Sequence, residues 1–264
     1  MQKTQAEYGR IGGRRFWKKF KENTEFRERI IKSRKSCKGT MWIKRASMNG
    51  VAARLKKYKE EEKIFLSKKK NKEYFSSISR LCGFLIGDGC LVKNSFEIAY
   101  YPDDIVLAEM FVSDFSRVYG KKPRIKNLGK YFRVRIRLKL AHKHLSSITS
   151  FNSLEWKIPK KILASEANKI EFIRSFFDCE AYVGKKVIQV QSVNFRGLNS
   201  IKDLLKELDI VSKIYRYKRK NKNWNINYIL CIMKKEDRAN YLNTIGFNHP
   251  LKQNKLINSL ARVA

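Results

Sequence analysis

Ile78-Ser79-Arg80-Leu81-Cys82-Gly83-Phe84-Leu85-Ile86-Gly87-Asp88-Gly89 is an apolar segment that stops abruptly at an acid between two glycines. Ile78, Leu81, Phe84 and Leu85 recur at helical spacing in an almost wholly apolar setting, so the stretch reads as a buried helix. A second segment of this kind, Glu171-Phe172-Ile173-Arg174-Ser175-Phe176-Phe177-Asp178-Cys179-Glu180, ends 92 residues after Asp88. Working outward from each acid, a helical segment with the stripe Ile105, Ala108, Phe111, Phe115 starts at position 104, 16 residues after Asp88, and another with the stripe Leu198, Ile201, Leu204, Leu205, Leu208 starts at position 196, 16 after Glu180. Alternating extended runs open at Tyr131 and Trp224, which lie 43 and 44 residues after the respective acids, and closing helices begin near Ala141 and Lys235. The repeated offsets predict an α+β chain with two pseudo-symmetric αββαββα halves, residues 73–160 and 161–264, preceded by a basic, mainly helical segment over 1–72.

A buried helix that ends in a carboxylate is unfavourable alone, because the C-terminal end of the helix dipole is negative and the acid loses its water. The same conflict occurs at Asp88 and at Glu180. Side by side, the two helices would set Gly83 and Gly87 against Ser175 and Cys179 at matched i, i+4 positions, allowing close backbone approach. Two neighbouring carboxylates then need cations, and a divalent metal bound through oxygen answers both problems. No Ser/His/Asp or Cys/His constellation offers a rival chemistry.

Leu81-Cys82-Gly83-Phe84-Leu85-Ile86-Gly87-Asp88-Gly89 and Ile173-Arg174-Ser175-Phe176-Phe177-Asp178-Cys179-Glu180-Ala181 resemble the two motif copies of the LAGLIDADG homing endonucleases, single-chain type. Trp156-Lys157-Ile158-Pro159 and Ile245-Gly246-Phe247-Asn248-His249-Pro250 resemble recurrent family segments, so the likeness covers about residues 76–258. It implies a saddle of two antiparallel sheets over double-stranded DNA, with the motif helices at the central interface. It further implies a monomeric, site-specific endonuclease, encoded by a mobile intron, that cuts both strands with Mg2+, Mn2+ substituting. Asp88 and Glu180 would be the catalytic, metal-binding acids, with Gly87 and Cys179, the residues before them, also at the metal position. Asp178 falls on the motif's other acid, which in the family is usually not a catalytic ligand. Two departures stand out: Ala181 replaces the glycine after the second acid, and Tyr101-Pro102 lies where relatives often place a polar or basic residue. The alternative is a non-catalytic nucleic-acid binder of the same fold, a transcription regulator or an intron RNA maturase. Splicing-junction residues are not seen at Met1-Gln2 or Arg262-Val263-Ala264, so an intein is not expected.

Charge points to the same partner. Against 24 Asp plus Glu stand 59 Lys plus Arg among 264 residues, a net +35, while 43% hydrophobic residues suffice for a core. A folded chain this basic excludes most ordinary cytosolic enzymes and seeks a polyanion, because displacing condensed counterions from phosphates is favourable. Residues 1–75 alone carry 24 basic and 8 acidic residues. Within them Gly12, Trp17, Lys18, Lys19 and Phe20 are echoed by Gly50, Leu55, Lys56, Lys57 and Tyr58, as a duplicated helical module or as shared composition. Ser67 to Lys72 reads as a solvated linker. The five cysteines show no metal-like spacing, and the count suits reduced thiols inside a cell, in cytoplasm or an organelle. His142 and His144 read as solvated polar residues. No apolar run suggests a signal or a membrane span.

DNA reading falls to the strands. Arg133, Arg135, Arg137 and Lys139 alternate with Phe132, Val134, Ile136 and Leu138, which predicts a strand over 131–140 with one cationic and one core face. In the second half, Arg216 and Lys218 lead to a hairpin tip containing Lys220 and Lys222, followed by Asn225 and Asn227. Arg pairs well with guanine and Asn with adenine in the major groove.

Overall fold

A computed structural model describes residues 16–37, 41–67, 70–217 and 225–261. Its contacts divide the chain between Ile64 and Phe65. The first unit is helical: residues 16–22, α1 (Thr24–Cys37) and most of α2 (Met41–Ser67). Phe16, Trp17, Phe20 and Phe26 gather into one aromatic cluster with Lys19 over the Phe26 ring. Trp17 and Leu55, the apolar members of the two echoed stretches, are both exposed on helices. The division falls before residue 72 because α2 continues through the expected linker start at Ser67, and Phe65 stacks on Tyr119 in the larger unit.

That larger unit runs α3 (Lys72–Asp88), β1 (Gly89–Val92), β2 (Glu97–Tyr100), α4 (Ile105–Tyr119), β3 (Arg124–Asn127), β4 (Phe132–Arg137) and α5 (Lys139–Ile148). The order then repeats as α6 (Glu166–Glu180), β5 (Ala181–Val183), β6 (Ile188–Ser192), α7 (Phe195–Lys206), β7 (Lys213–Tyr217), β8 (Asn227–Ile232) and α8 (Lys235–Thr244), closed by α9 (Pro250–Ala261). Each half folds its strands into one antiparallel four-stranded sheet, ordered β1-β2-β4-β3 and β5-β6-β8-β7. The two-half α+β architecture read from the motif spacing is the architecture found.

Local chemistry sets the helix ends. The Asn71 side chain accepts from the Tyr74 N–H, Asp104 from Val106 and Asn194 from Gly197, satisfying donors that the first helical turn leaves open. Gly120 ends α4 at φ 66°, where a side chain would be strained. Asn194 also donates to the Trp156 carbonyl, and the Trp156 ring lies where a Cβ on Gly197 would go. The Trp-Lys-Ile-Pro segment therefore plugs the second half's core, which gathers Phe172, Phe176, Phe177, Leu198, Ile201 and Leu230. Phe84, Tyr100, Phe111 and Phe115 fill the first half, where Tyr100 stacks on Phe111.

Two expectations are corrected. Lys139 is not on the strand: β4 ends at Arg137, and Lys139 opens α5 with its ammonium over the Phe96 ring. The alternation ran on past the strand because Leu138 and Leu140 are the first apolar positions of the helix junction. His142 is buried and His144 half-buried, not solvated; His144 bonds to the Tyr74 and Tyr119 hydroxyls, and desolvation holds its pKa down at about 4.

Candidate active site

The motif helices α3 and α6 meet backbone to backbone. A Cβ on Gly83 would lie 2.6 Å from the Phe172 carbonyl oxygen and 2.8 Å from the Ser175 Cβ, and one on Gly87 would press closer still on the Cys179 Cβ. The anticipated pairing of Gly83 with Ser175 and Gly87 with Cys179 is therefore present. Both helices deliver their last residues, Asp88 and Glu180, to a shared end. Burial raises the Asp88 pKa, with nearby Asp103 adding to it, and burial together with the Asp88 charge pushes Glu180 up to about 7. Two desolvated carboxylates side by side form an oxygen donor set whose chemistry fits a hard divalent cation. Among the described residues, no group of three or more His, Cys, Asp and Glu side chains could hold a metal. Cys179 enters the site as a packing group: burial holds its thiol neutral, and its sulfur lies 3.5 Å from the Tyr100 hydroxyl. Its carbonyl accepts from Lys252 at 2.9 Å.

Lys252 is the cation that the buried helix end demanded. From α9 its Nζ donates to the Asp178 and Cys179 carbonyls, meeting orphan acceptors at the negative end of α6, and its charge lowers the pKa of both acids. Asp178 is wholly buried and faces away from the pair, accepting from the Asn248 backbone and side-chain amides and the His249 N–H. Burial still holds its pKa near 6. The His249 ring reaches back across the halves to Asp103 at 3.3 Å. Asp103 follows Tyr101-Pro102, and the Tyr101 N–H donates to the Asp88 carbonyl.

Cross-strand partners project from one face of a sheet, so register assigns every strand residue. In the first sheet Arg124 and Ala99 oppose Arg135, Lys126 opposes Arg133, and Glu97 opposes Arg137. Five cations and one acid thus share the face turned from the helices, while Val134 is buried on the other side. In the second sheet the corresponding face carries Tyr182, Gln189, Gln191, Lys213, Tyr215, Tyr217, Asn227 and Ile229. Arg216 pairs with Tyr228 on the helix side, a correction explained by the alternation Ile214-Tyr215-Arg216-Tyr217 with Ile214 inward. Asn227 is on the outer face but is buried and donates to Gln191. Asn225 is exposed just before β8, and Lys218, Lys220 and Lys222 lie outside the described residues.

Residues 167–246 match the family described as LAGLIDADG-like domain. The homing endonuclease I-DmoI, solved in complex with DNA and Ca, is 16% identical with a TM-score of 0.55, the match covering 71% of this chain and 100% of that one. This is a LAGLIDADG-fold protein. The same fold is seen in full-length DUF199/WhiA from Thermatoga maritima, 13% identical with a TM-score of 0.51, covering 78% of this chain and 66% of that one. Among curated sequences, the Replication factor C small subunit of Methanocaldococcus jannaschii is 24% identical over 190 residues, 70% of this chain. The chain spans only 10% of that relative's length.

In this LAGLIDADG-fold protein, sequence reasoning found the paired helix ends but missed Lys252, Asp103 and the His249 link. Lys252 and His249 lie 74 and 71 residues from Asp178, Asp103 meets His249 across 146 residues, and none of the three belongs to a period. The Gln189 and Gln191 positions had a visible signal, the alternation Ile188-Gln189-Val190-Gln191. Among the described residues, no helix is long and apolar enough to cross a membrane.

Proposed function

We propose that the chain is a site-specific, divalent-metal-dependent endonuclease that cuts both strands of duplex DNA as a monomer, a homing enzyme encoded by a mobile intron and acting inside the cell. The observation that carries this reading is the pair of desolvated carboxylates, Asp88 and Glu180, at abutting helix ends between two sheets. Asp88 and Glu180 would hold Mg2+ or Mn2+, which when bound lowers the pKa of water and neutralises charge at the scissile phosphate. The chain's own residues supply the frame. Gly83 and Gly87 bring the acids together, Lys252 holds the end of α6, and the Asp178–Asn248–His249–Asp103 contacts fix the second motif against the first half. I-DmoI has been solved with DNA together with Mn, Ca and, as a variant, Mg, which supports a divalent ion here.

The outer sheet faces receive the duplex. Arg133, Arg135 and Arg137 supply guanidinium groups for guanine and phosphate, and the tyrosines and amides of the second sheet supply adenine-directed and stacking contacts. Residues 1–72 act as an accessory DNA clamp, outside the two halves 73–160 and 161–264. A non-cleaving regulator is the second reading, favoured by Lys252, whose charge already offsets part of the acid pair, and by the likeness to WhiA. Incubation with a randomised duplex library and Mg2+ or Mn2+, followed by sequencing of ends, separates them. Cut ends at a long defined site support the nuclease, and enrichment of bound, uncut DNA supports the regulator.

A further inference from the structure

The first hairpin of the second sheet turns at Gly184, whose N–H donates to the Val187 carbonyl. Between this turn and α9 lies a cavity of about 560 Å³ lined by Tyr182, Lys185, Lys186, Lys255, Asn258 and Ser259, among others. None of the lining residues is acidic. Behind its wall sits Arg238 of α8, only 3% exposed. Its Nη1 donates to the Lys185 carbonyl at 3.2 Å and to the Ser259 hydroxyl at 3.1 Å, so the guanidinium lies against two residues that form the wall. Its Nε is buried with no acceptor. Among the described residues, no carboxylate lies within ion-pair distance of Arg238, Lys185, Lys186 or Lys255.

A buried guanidinium without a counter-charge is costly, and three further cations around the same space add to the cost. Arg80, which is only partly buried, is by contrast clasped by Asp114 and Glu171. A bound anion resolves the imbalance. We propose that this cavity is a phosphate-binding site, with the lysine ammonium groups and the Asn258 amide as direct donors and Arg238 as the fixed charge behind them. A phosphate group can come from a duplex backbone or from a free phosphate or nucleotide. Tyr182 is on the rim and also on the outer face of the second sheet, which places the mouth at the edge of the proposed DNA track. The duplex source therefore rests on the reading above; the phosphate chemistry does not.

The test uses the full chain, with Lys186→Gln/Lys255→Gln as the variant and Lys202→Gln/Lys206→Gln, on α7, as a control of equal charge. Thermal unfolding is followed against inorganic phosphate, with chloride at matched ionic strength. A saturable phosphate-specific rise in Tm is expected for the wild type and the control, with the variant binding at least about tenfold more weakly. No phosphate-specific rise, or an equal rise in the variant, overturns the proposal. Duplex binding is then measured against salt. A slope smaller by about 0.9 in the variant but not the control assigns a backbone phosphate, and an unchanged slope beside a lost Tm effect assigns the free ligand. If no duplex binds at all, the nuclease and regulator readings both fail, while the phosphate titration still decides the cavity.

Discussion

Replacing Gly83 by alanine tests the backbone contact on which the paired acids depend. The new Cβ would meet the Phe172 carbonyl oxygen at 2.6 Å and the Phe176 nitrogen at 3.0 Å, both backbone atoms that no rotamer change can move. Ordinary contacts lie near 3.5–4.0 Å, so α3 and α6 must separate by about 1 Å. Overpacking of this kind costs about 1–3 kcal/mol, and a backbone obstacle places it at the upper end. Alanine returns about 1 kcal/mol through helix propensity. The net expectation is a loss of about 2 kcal/mol, read as a lower urea midpoint at unchanged slope. Gly87→Ala should behave alike, and the double variant should lose less than the sum, because helices already parted for one methyl accommodate the second. If Gly83→Ala is as stable as the wild type, or more so by its propensity gain, the helices do not touch there and the geometry of the acid pair is wrong.

The remaining expectations concern charge. Glu180 titrates near 7 in the folded chain against an ordinary 4.5, so the folded state binds the extra proton between these values and stability falls as pH rises through that window, by on the order of 3 kcal/mol. Urea midpoints in chelator should show part of this slope vanish in Glu180→Gln, and an identical slope in both proteins would refute the shift. Divalent-ion affinity, measured by titration calorimetry, should rise with pH up to about 7 and then level, since the ion displaces that proton. Arg80→Met should cost about 3–5 kcal/mol because Asp114, 3% exposed at its side chain, loses its main partner, whereas Arg137→Ala, half of an exposed pair, should cost under about 1 kcal/mol. On DNA, alanine at Arg133 or Arg135 should reduce the salt slope, while Tyr215→Ala and Gln191→Ala should weaken binding with little change in it. Equal slopes across all four would show that the two sheet faces are used alike.

Much of this arrangement was legible because it is periodic. The motif helices end in almost wholly apolar turns, the strands alternate, and the second half repeats the offsets of the first, so element order and the positions of Asp88 and Glu180 follow from spacing. Boundaries blurred where two periods overlap, as at Leu138-Lys139-Leu140, where strand alternation runs into the first turn of a helix. Arg216 was assigned by its charge when its neighbour Ile214 already fixed its face. Lys252, Asp103 and His249 were invisible for a different reason: they act through tertiary contacts at sequence separations of 70 residues or more, and only the folded chain shows that the demand for a cation at the end of α6 is met from α9.

Asp88 and Glu180 are proposed to make one metal-dependent cutting centre together. Its most direct measurement is cleavage of a plasmid carrying a site selected by the wild-type protein, with Mg2+ or Mn2+ and with chelator, by the wild type, Asp88→Asn and Glu180→Gln at concentrations where all three bind the site equally. Linear plasmid is expected from the wild type only when metal is present, and no double-strand cleavage from either variant. Full cleavage by either variant, or by the wild type in chelator, would contradict that proposal.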